Sequence, residues 1–115
     1  MHEMSYISRM ISLAAEVAES NGAKKVRSIV IDIGKASGVM PYYMYKYYPE
    51  AAKGTIIEGA ELVCNEVPVK ALCEECDKEY FPSKENRYLC PFCGGKKAHI
   101  IEGKDVILKN VVIED

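Results

Sequence analysis

Four cysteines in two close pairs constrain the fold of this chain more than any other feature. Cys73 and Cys76 form one CxxC pair, and Cys90 and Cys93 form a second pair after thirteen intervening residues. A CxxC turn lets two thiolates converge from one tight loop, and a second such turn completes a tetrahedron of four ligands. We therefore predict that these four cysteines hold a structural Zn²⁺ ion, with no open position for catalysis.

The sequence leaves two other interpretations of the cysteine pairs open. A rubredoxin-type iron site uses similar pairs, and the cysteines could instead form disulfides. The odd count of five cysteines and an N-terminus without a secretory signal favour a reducing compartment, so we expect a cytoplasmic protein. The fifth cysteine, Cys64 in the segment ELVCNEV, is interpreted as a small apolar strand residue.

Length and charge limit the functions to be considered. With 115 residues, the chain is expected to form one domain, or a domain with a small metal-stabilised lobe. With a net charge of −2, the chain lacks the excess of basic residues that is typical of nucleic-acid-binding proteins, so we do not expect it to bind nucleic acid. No apolar run approaches the ~20 residues of a membrane span, and we expect no membrane contact.

Hydrophobic spacing predicts two helices and three strands outside the cysteine region. A helix is expected from Met4 to about Ser20, and a second helix from Pro41, kinked or divided at Pro49. The segments VRSIVIDIG, ELVCNEV and DVILKNVVIE have strand character, and Pro68 confines the second to an edge or ends it. These elements predict an α+β fold: a small three-stranded sheet with two helices and an inserted zinc-ribbon lobe. Residues 1–69 plus 99–115 would form the α+β domain, and residues 70–98 the zinc ribbon.

The N-terminal sequence MHEMS contains a second candidate metal site. The amine of Met1, the amide nitrogen of His2 and the His2 imidazole can close fused chelate rings, and the amide or carboxylate of Glu3 could supply a fourth donor. Nitrogen-rich tetragonal coordination suits Ni²⁺ or Cu²⁺. Loading should weaken as pH falls through the histidine pKa, near ~6.5 in model peptides. The alternative is that His2 is simply a solvated terminal residue.

The other histidine, His99, lies just after the cysteine region. It could add a nickel ligand if the ribbon folds back toward the N-terminus, but the alternative of a surface histidine is favoured. There is no nucleophile–histidine set, phosphate-binding loop or dinucleotide-binding turn in the sequence, so we do not expect an enzyme.

The MHE terminus, the segments IDIGKASGV and AKGTIIEGAEL, the paired cysteines and the GKDV-type last strand together resemble the HypA family. Its members are nickel-incorporation metallochaperones of nickel–iron hydrogenase maturation, also linked to urease. The resemblance implies that Met1, His2 and Glu3 bind Ni²⁺ for transport and that the four paired cysteines hold structural Zn²⁺. It also implies two partners, a nickel-binding GTPase and the hydrogenase large-subunit precursor.

Two points about assembly and function stay open at this level. A homodimer is compatible with the sequence, although no residue demands one. The alternative function is a zinc-ribbon module that binds protein or nucleic acid and carries an incidental MHE terminus.

Overall fold

A computed structural model describes residues 3–114 of the chain, and Met1, His2 and Asp115 lie outside the described residues. Its regular elements, numbered in chain order, comprise helices, strands and one short 3₁₀ turn at Lys84–Asn86. They are α1 (Glu3–Ser20), β1 (Lys25–Gly34), α2 (Pro41–Ala52), β2 (Glu61–Val67), β3 (Lys70–Cys73), β4 (Glu79–Tyr80), β5 (Ala98–Glu102) and β6 (Val106–Glu114).

The three strands predicted outside the cysteine region form one mixed sheet in the order β2-β1-β6. Strand β1 runs parallel to β2 and antiparallel to β6. The predicted α+β fold with a three-stranded sheet and two helices is thereby confirmed. Strand β2 lies at the edge of the sheet and ends just before Pro68, which has no N–H to continue the ladder. Neither helix within residues 3–114 has the length and apolar character needed to cross a membrane.

The alternating isoleucines of β1 form the buried face of the strand, as the sequence pattern predicted. Ile29, Ile31 and Ile33 are each at most 1% exposed, while Val30 and Asp32 between them are only partly buried. The helices cover this isoleucine face because their own apolar residues recur at helical spacing. From α1 the core receives Ile7, Met10, Ile11, Ala14 and Ala18, and from α2 it receives Met44, Tyr48 and Ala52.

Helix α2 is one unbroken helix that contains Pro49, so of the two predicted outcomes the division into shorter pieces does not occur, and the kink stays a prediction. Pro49 lies near the C-terminal end, where its missing N–H costs one helical hydrogen bond. The preceding residue, Tyr48, is buried, and its hydroxyl donates to the carbonyl oxygen of Ala60 at 2.8 Å. Burial raises the pKa of Tyr48 to about 12. This contact joins the end of α2 to the segment leading into β2.

A second, antiparallel sheet of three short strands, in the order β4-β3-β5, carries the cysteine region. Its small core consists of Ala71, Cys73, Tyr80 and Cys90. The sequence analysis did not predict these strands, because segments of two to five residues show too little periodicity to be recognised. Residues 99–102, assigned above to the α+β domain, pair with β3 in this second sheet. The division into two domains itself stays a prediction.

The end of β1 is bonded to both segments that connect the two sheets. The amide of Lys35 donates to the carbonyl of Val67 at 2.9 Å, and the amide of Ala36 donates to the carbonyl of Gly103 at 2.8 Å. Gly34 has no room for a side chain, because a Cβ atom there would overlap the carbonyl group of Gly103. We call these backbone contacts around Gly34, Val67 and Gly103 the junction.

Replacement of Gly34 by alanine should destabilise the protein by about 2–4 kcal/mol, because the added methyl group meets backbone that cannot move independently. The matched control is Gly38→Ala. Gly38 has a φ of +80° but open space around its Cβ position, so this change should cost only about 1 kcal/mol of backbone strain. Urea unfolding of both variants measures the difference, and equal losses of stability would contradict the close approach at the junction.

Candidate metal centres

The two CxxC segments fold into turns with the same hydrogen bonds. In the first turn, the amide of Asp77 donates to the carbonyl of Cys73 at 2.9 Å. In the second, the amide of Gly94 donates to the carbonyl of Cys90 at 2.8 Å. The first cysteine of each pair also donates its amide to a carbonyl five residues ahead, from Cys73 to Lys78 at 3.0 Å and from Cys90 to Gly95 at 3.2 Å. The two turns are therefore structurally equivalent.

The residue after each pair must adopt a left-handed backbone to complete its turn. Gly94 has a φ of 73° and Asp77 has a φ of 59°. Glycine adopts this conformation without a steric cost, and aspartate tolerates it better than most residues do. The local sequence thus explains why both CxxC segments turn sharply and direct their sulfur atoms to one point.

The structure brings the four predicted cysteines into one cluster. The Sγ atoms of Cys73 and Cys93 are 3.6 Å apart, those of Cys76 and Cys90 are 3.7 Å apart, and all four lie within 4.8 Å of one another. A zinc ion with Zn–S bonds of about 2.3 Å requires a tetrahedron whose edges are about 3.8 Å. A disulfide requires about 2.05 Å. The cluster therefore fits a four-thiolate metal site, and the cysteines are not paired as disulfides.

The electrostatics of the cluster favour a bound cation. Burial opposes ionisation of Cys90, but the backbone amides of Cys93 and Phe92 donate to its sulfur and the net pKa falls to about 7. The Gly95 amide likewise favours the thiolate of Cys93, yet hydrogen bonds with the neighbouring sulfurs raise its pKa to about 12. Four thiolates this close repel one another, and a divalent cation removes that obstacle.

Side chains beside the two turns connect them and cover part of the cluster, in which Cys73 and Cys90 are buried and Cys93 is exposed. The ammonium group of Lys78, next to the first turn, lies 4.9 Å from the ring centre of Phe92 in the second. Tyr80 is 5% exposed and packs with Cys73 and Cys90 in the small core. The Lys78–Phe92 contact did not follow from the sequence, because cation–π pairs depend on the relative placement of two loops.

Cys64 is separate from the cluster and behaves as the sequence analysis predicted. It lies in β2, packs against the main core, and donates its amide to the hydroxyl oxygen of Tyr45 at 2.8 Å. Burial raises the pKa of the Cys64 thiol to about 11, and the hydrogen bond with Tyr45 opposes this only partly. Among the described residues, Cys64 is not part of the four-thiol group that could hold a metal, so we assign it a packing role in β2.

The histidines and the N-terminal residues are only partly described. His99 is exposed on β5, where its strand partner is Leu72. Met1 and His2, the predicted nickel ligands, lie outside the described residues. Glu3 is the first residue of α1 and only 3% exposed, and its Oε2 atom accepts a hydrogen bond from the amide of Met40 at 3.1 Å. Sequence reasoning missed Met40, because nearly every residue type carries a backbone N–H and none of its side-chain chemistry is involved.

Substitution of Cys73 or Cys90 by serine should lower the zinc content well below the expected value of about one ion per chain, because one of four required thiolates is lost. Cys64→Ser is the matched control and should keep full zinc content. Metal analysis of the purified variants measures both. Zinc loss in Cys64→Ser, or full retention in Cys73→Ser and Cys90→Ser, would contradict the assignment.

Comparison with known proteins gives a match over almost the whole chain. The family model described as "Hydrogenase/urease nickel incorporation, metallochaperone, hypA" matches residues 1–113. Because the match includes the terminus and the helices as well as the cysteine region, the alternative of an isolated zinc-ribbon module is not favoured. The solution structure of the Ni metallochaperone HypA from Helicobacter pylori has the same fold, with a TM-score of 0.75, 24% identity and coverage of 98% of this chain and 97% of that chain.

Curated relatives agree with the family model. Hydrogenase maturation factor HypA from Aquifex aeolicus is 36% identical over 99% of this chain and 98% of its own length. The corresponding protein from a Picosynechococcus species is 34% identical over 98% of this chain and 99% of its own length. These alignments leave no large part of either partner unmatched, and the chain therefore belongs to the HypA family of hydrogenase and urease nickel-incorporation metallochaperones.

Proposed function

We propose that this chain is a nickel metallochaperone that binds Ni²⁺ at its N-terminus and delivers the ion during nickel–iron hydrogenase maturation. The observation that carries the proposal is the match to the nickel-incorporation family across residues 1–113, supported by relatives named as hydrogenase maturation factors. The Met1 amine, the His2 amide and the His2 imidazole supply the chelating nitrogens, and Glu3 completes the terminal site. This nitrogen-rich set suits Ni²⁺.

The four cysteines serve structure in this proposal. A closed set of Cys73, Cys76, Cys90 and Cys93 leaves no coordination position for water or substrate, so Zn²⁺ shapes the ribbon and performs no reaction. The α+β domain carries the nickel terminus, and the ribbon, extended by the β5 residues that pair with β3, supplies rigidity and a surface for docking. Function as a metallochaperone requires binding and release but no catalysis by this chain.

Reversible binding is essential to delivery. A terminal chelate is opened by moving only a few residues. At each nitrogen donor, a proton competes with the metal ion for the same lone pair. The His2 imidazole must be neutral to bind the metal, so acidification below its pKa favours release. The metallochaperone must also bind nickel more weakly than the final acceptor, because the free energy of transfer would otherwise be unfavourable.

The partners in this proposal also act in nickel–iron hydrogenase maturation. The chain has no phosphate-binding loop of its own, so nucleotide hydrolysis during delivery falls to a nickel-binding GTPase. The hydrogenase large-subunit precursor is the recipient, and both encounters take place in the cytoplasm.

Substitution of His2 by alanine should abolish tight one-to-one Ni²⁺ binding and lower hydrogenase activity in cells, because the imidazole closes one of the chelate rings. Calorimetric titration of zinc-loaded protein measures the binding, and hydrogenase activity in a strain that depends on this chain measures delivery.

The matched control is His99→Ala. His99 is exposed on β5, so this variant should bind nickel and support maturation like the unmodified chain. If His2→Ala left binding and maturation unchanged, the terminal nickel site would be wrong. If His99→Ala alone lost nickel, the site would include the second sheet.

A further inference from the structure

A groove in the second sheet lies apart from the cysteine cluster. It has a volume of about 390 Å³, is lined mainly by apolar and aromatic residues, and has none of the four paired cysteines in its lining. The buried residues Ala71 and Tyr80 form its floor, and its more exposed residues include Tyr88 and Ile100. Cavities of this size and character are typical of sites that receive a ligand or the side chain of a bound peptide.

The groove reaches the free edge of β5. Three consecutive residues of this strand, Ala98, His99 and Ile100, line it, although successive residues of a strand face opposite sides of the sheet. The backbone of β5 therefore borders the groove. In the order β4-β3-β5, no strand within residues 3–114 pairs with the outer side of β5. An extended segment can bond to this free backbone, which is a recurring form of peptide recognition.

The charge of the groove favours an acidic occupant. With histidine counted as neutral at pH 7, Lys96 is the only charged side chain in the lining, which contains no carboxylate. The carboxylate of Glu79, beside the groove residue Tyr80, is 2.9 Å from the ammonium group of Lys70 and so is already paired. No ion pair within residues 3–114 neutralises Lys96. A carboxylate brought into the groove therefore meets an available cation.

Tyr88 lines this groove on a strained backbone. Its φ is 63° and that of Arg87 is 53°, and the left-handed region is unfavourable for a bulky residue. The amide of Tyr88 donates to the carbonyl of Ser83 at 2.8 Å, so the turn maintains the strain. The Tyr88 residue is 58% exposed, and burial therefore does little to offset this cost. An exposed aromatic residue held in this way indicates contact with another molecule.

We propose that this groove binds an extended, acidic segment of a partner protein. The segment lies along β5 and bonds to the free backbone of the strand. It places an apolar side chain against Tyr88 and a carboxylate at Lys96. The inference rests on the proposed function, because it gives a chemistry to the docking role assigned there to the ribbon.

The position of the groove suits a partner that takes part in nickel transfer. Ala36 also lines the groove, and its amide donates to the carbonyl of Gly103 at the junction. The same loop continues to Met40, whose amide donates to the carboxylate of Glu3. A segment in the groove is therefore held beside the loop that leads from the junction to the first residue of α1.

The inference is tested by titrating a synthetic acidic peptide, GSEEFIEEGS, into zinc-loaded, isotope-labelled full-length protein. Amide resonances should shift at Tyr88, Lys96 and Ile100. Two matched peptides separate the contributions. GSQQFIQQGS lacks the carboxylates and GSEESSEEGS lacks the apolar side chains, so each should bind at least about tenfold more weakly than the acidic peptide.

Three variants locate the binding. Lys96→Glu reverses the charge and Tyr88→Asn removes the ring, and each should weaken binding of the acidic peptide by about tenfold. Asparagine tolerates a φ of 63°, so Tyr88→Asn should keep its stability to urea, whereas a tyrosine that served only the fold would be missed there. Lys84→Glu is the matched control. It makes the same charge change on an exposed lysine outside the groove and should alter binding by less than about threefold.

Three results would overturn the inference. The first is the absence of resonance shifts with the acidic peptide at about 1 mM. The second is equal binding of the three peptides, or full binding by Lys96→Glu, because charge would then play no part. The third is a change in the association state of Tyr88→Asn in sedimentation, because the occupant would then be a second copy of this chain.

Nickel binding separates this inference from the proposed function. Lys96→Glu and Tyr88→Asn should bind Ni²⁺ like the unmodified chain but support severalfold less hydrogenase activity in cells. Normal activity in both variants would refute the docking role, while loss of nickel in His2→Ala would still support the terminal site. Full nickel binding by His2→Ala would instead remove the proposed nickel site without changing the result of the peptide titration.

Discussion

The junction at the end of β1 is the constraint on which the rest of this structure depends. The chain passes from the first sheet to the second after Val67 and returns through Gly103, and both passages are bonded to residues that follow Gly34. Only glycine permits the two backbones to approach so closely. Because the loop after β1 then leads to Met40 and α2, one set of backbone contacts fixes the cysteine sheet, the start of α2 and, through Glu3, the start of α1.

The cysteine cluster and the proposed nickel terminus place different demands on the protein. The cysteine cluster forms within the second sheet from two equivalent turns, and it needs the metal to balance four thiolates that otherwise oppose one another's ionisation. In the proposed function, the transported ion is instead held by a short chelate at the N-terminus, which suits a site that must load and unload.

Much of this organisation could be predicted from the sequence, and the exceptions have physical causes. The isoleucine alternation in β1 and the helical spacing in α1 are long periodic signals, and the paired cysteines have few chemical alternatives in a chain of this class. Strands β3, β4 and β5 are too short for their periodicity to be recognised. At Pro49 the chain does not divide into two helices, since α2 continues to Ala52 with the buried Tyr48 beside the proline. The Glu3–Met40 contact could not be predicted from the sequence. Every residue except proline carries a backbone N–H, so the sequence does not show which one a distant carboxylate contacts.

The central claim is that nickel binds at the N-terminal amine and the residues next to it. The most direct measurement is calorimetric titration of Ni²⁺ into the zinc-loaded protein beside a version with one extra residue before Met1. The account predicts tight one-to-one binding that is lost on extension, because the added residue converts the chelating amine into an amide and displaces His2 from the second position. Equal binding by both proteins would contradict it, because the ion would then be held by side chains elsewhere in the fold.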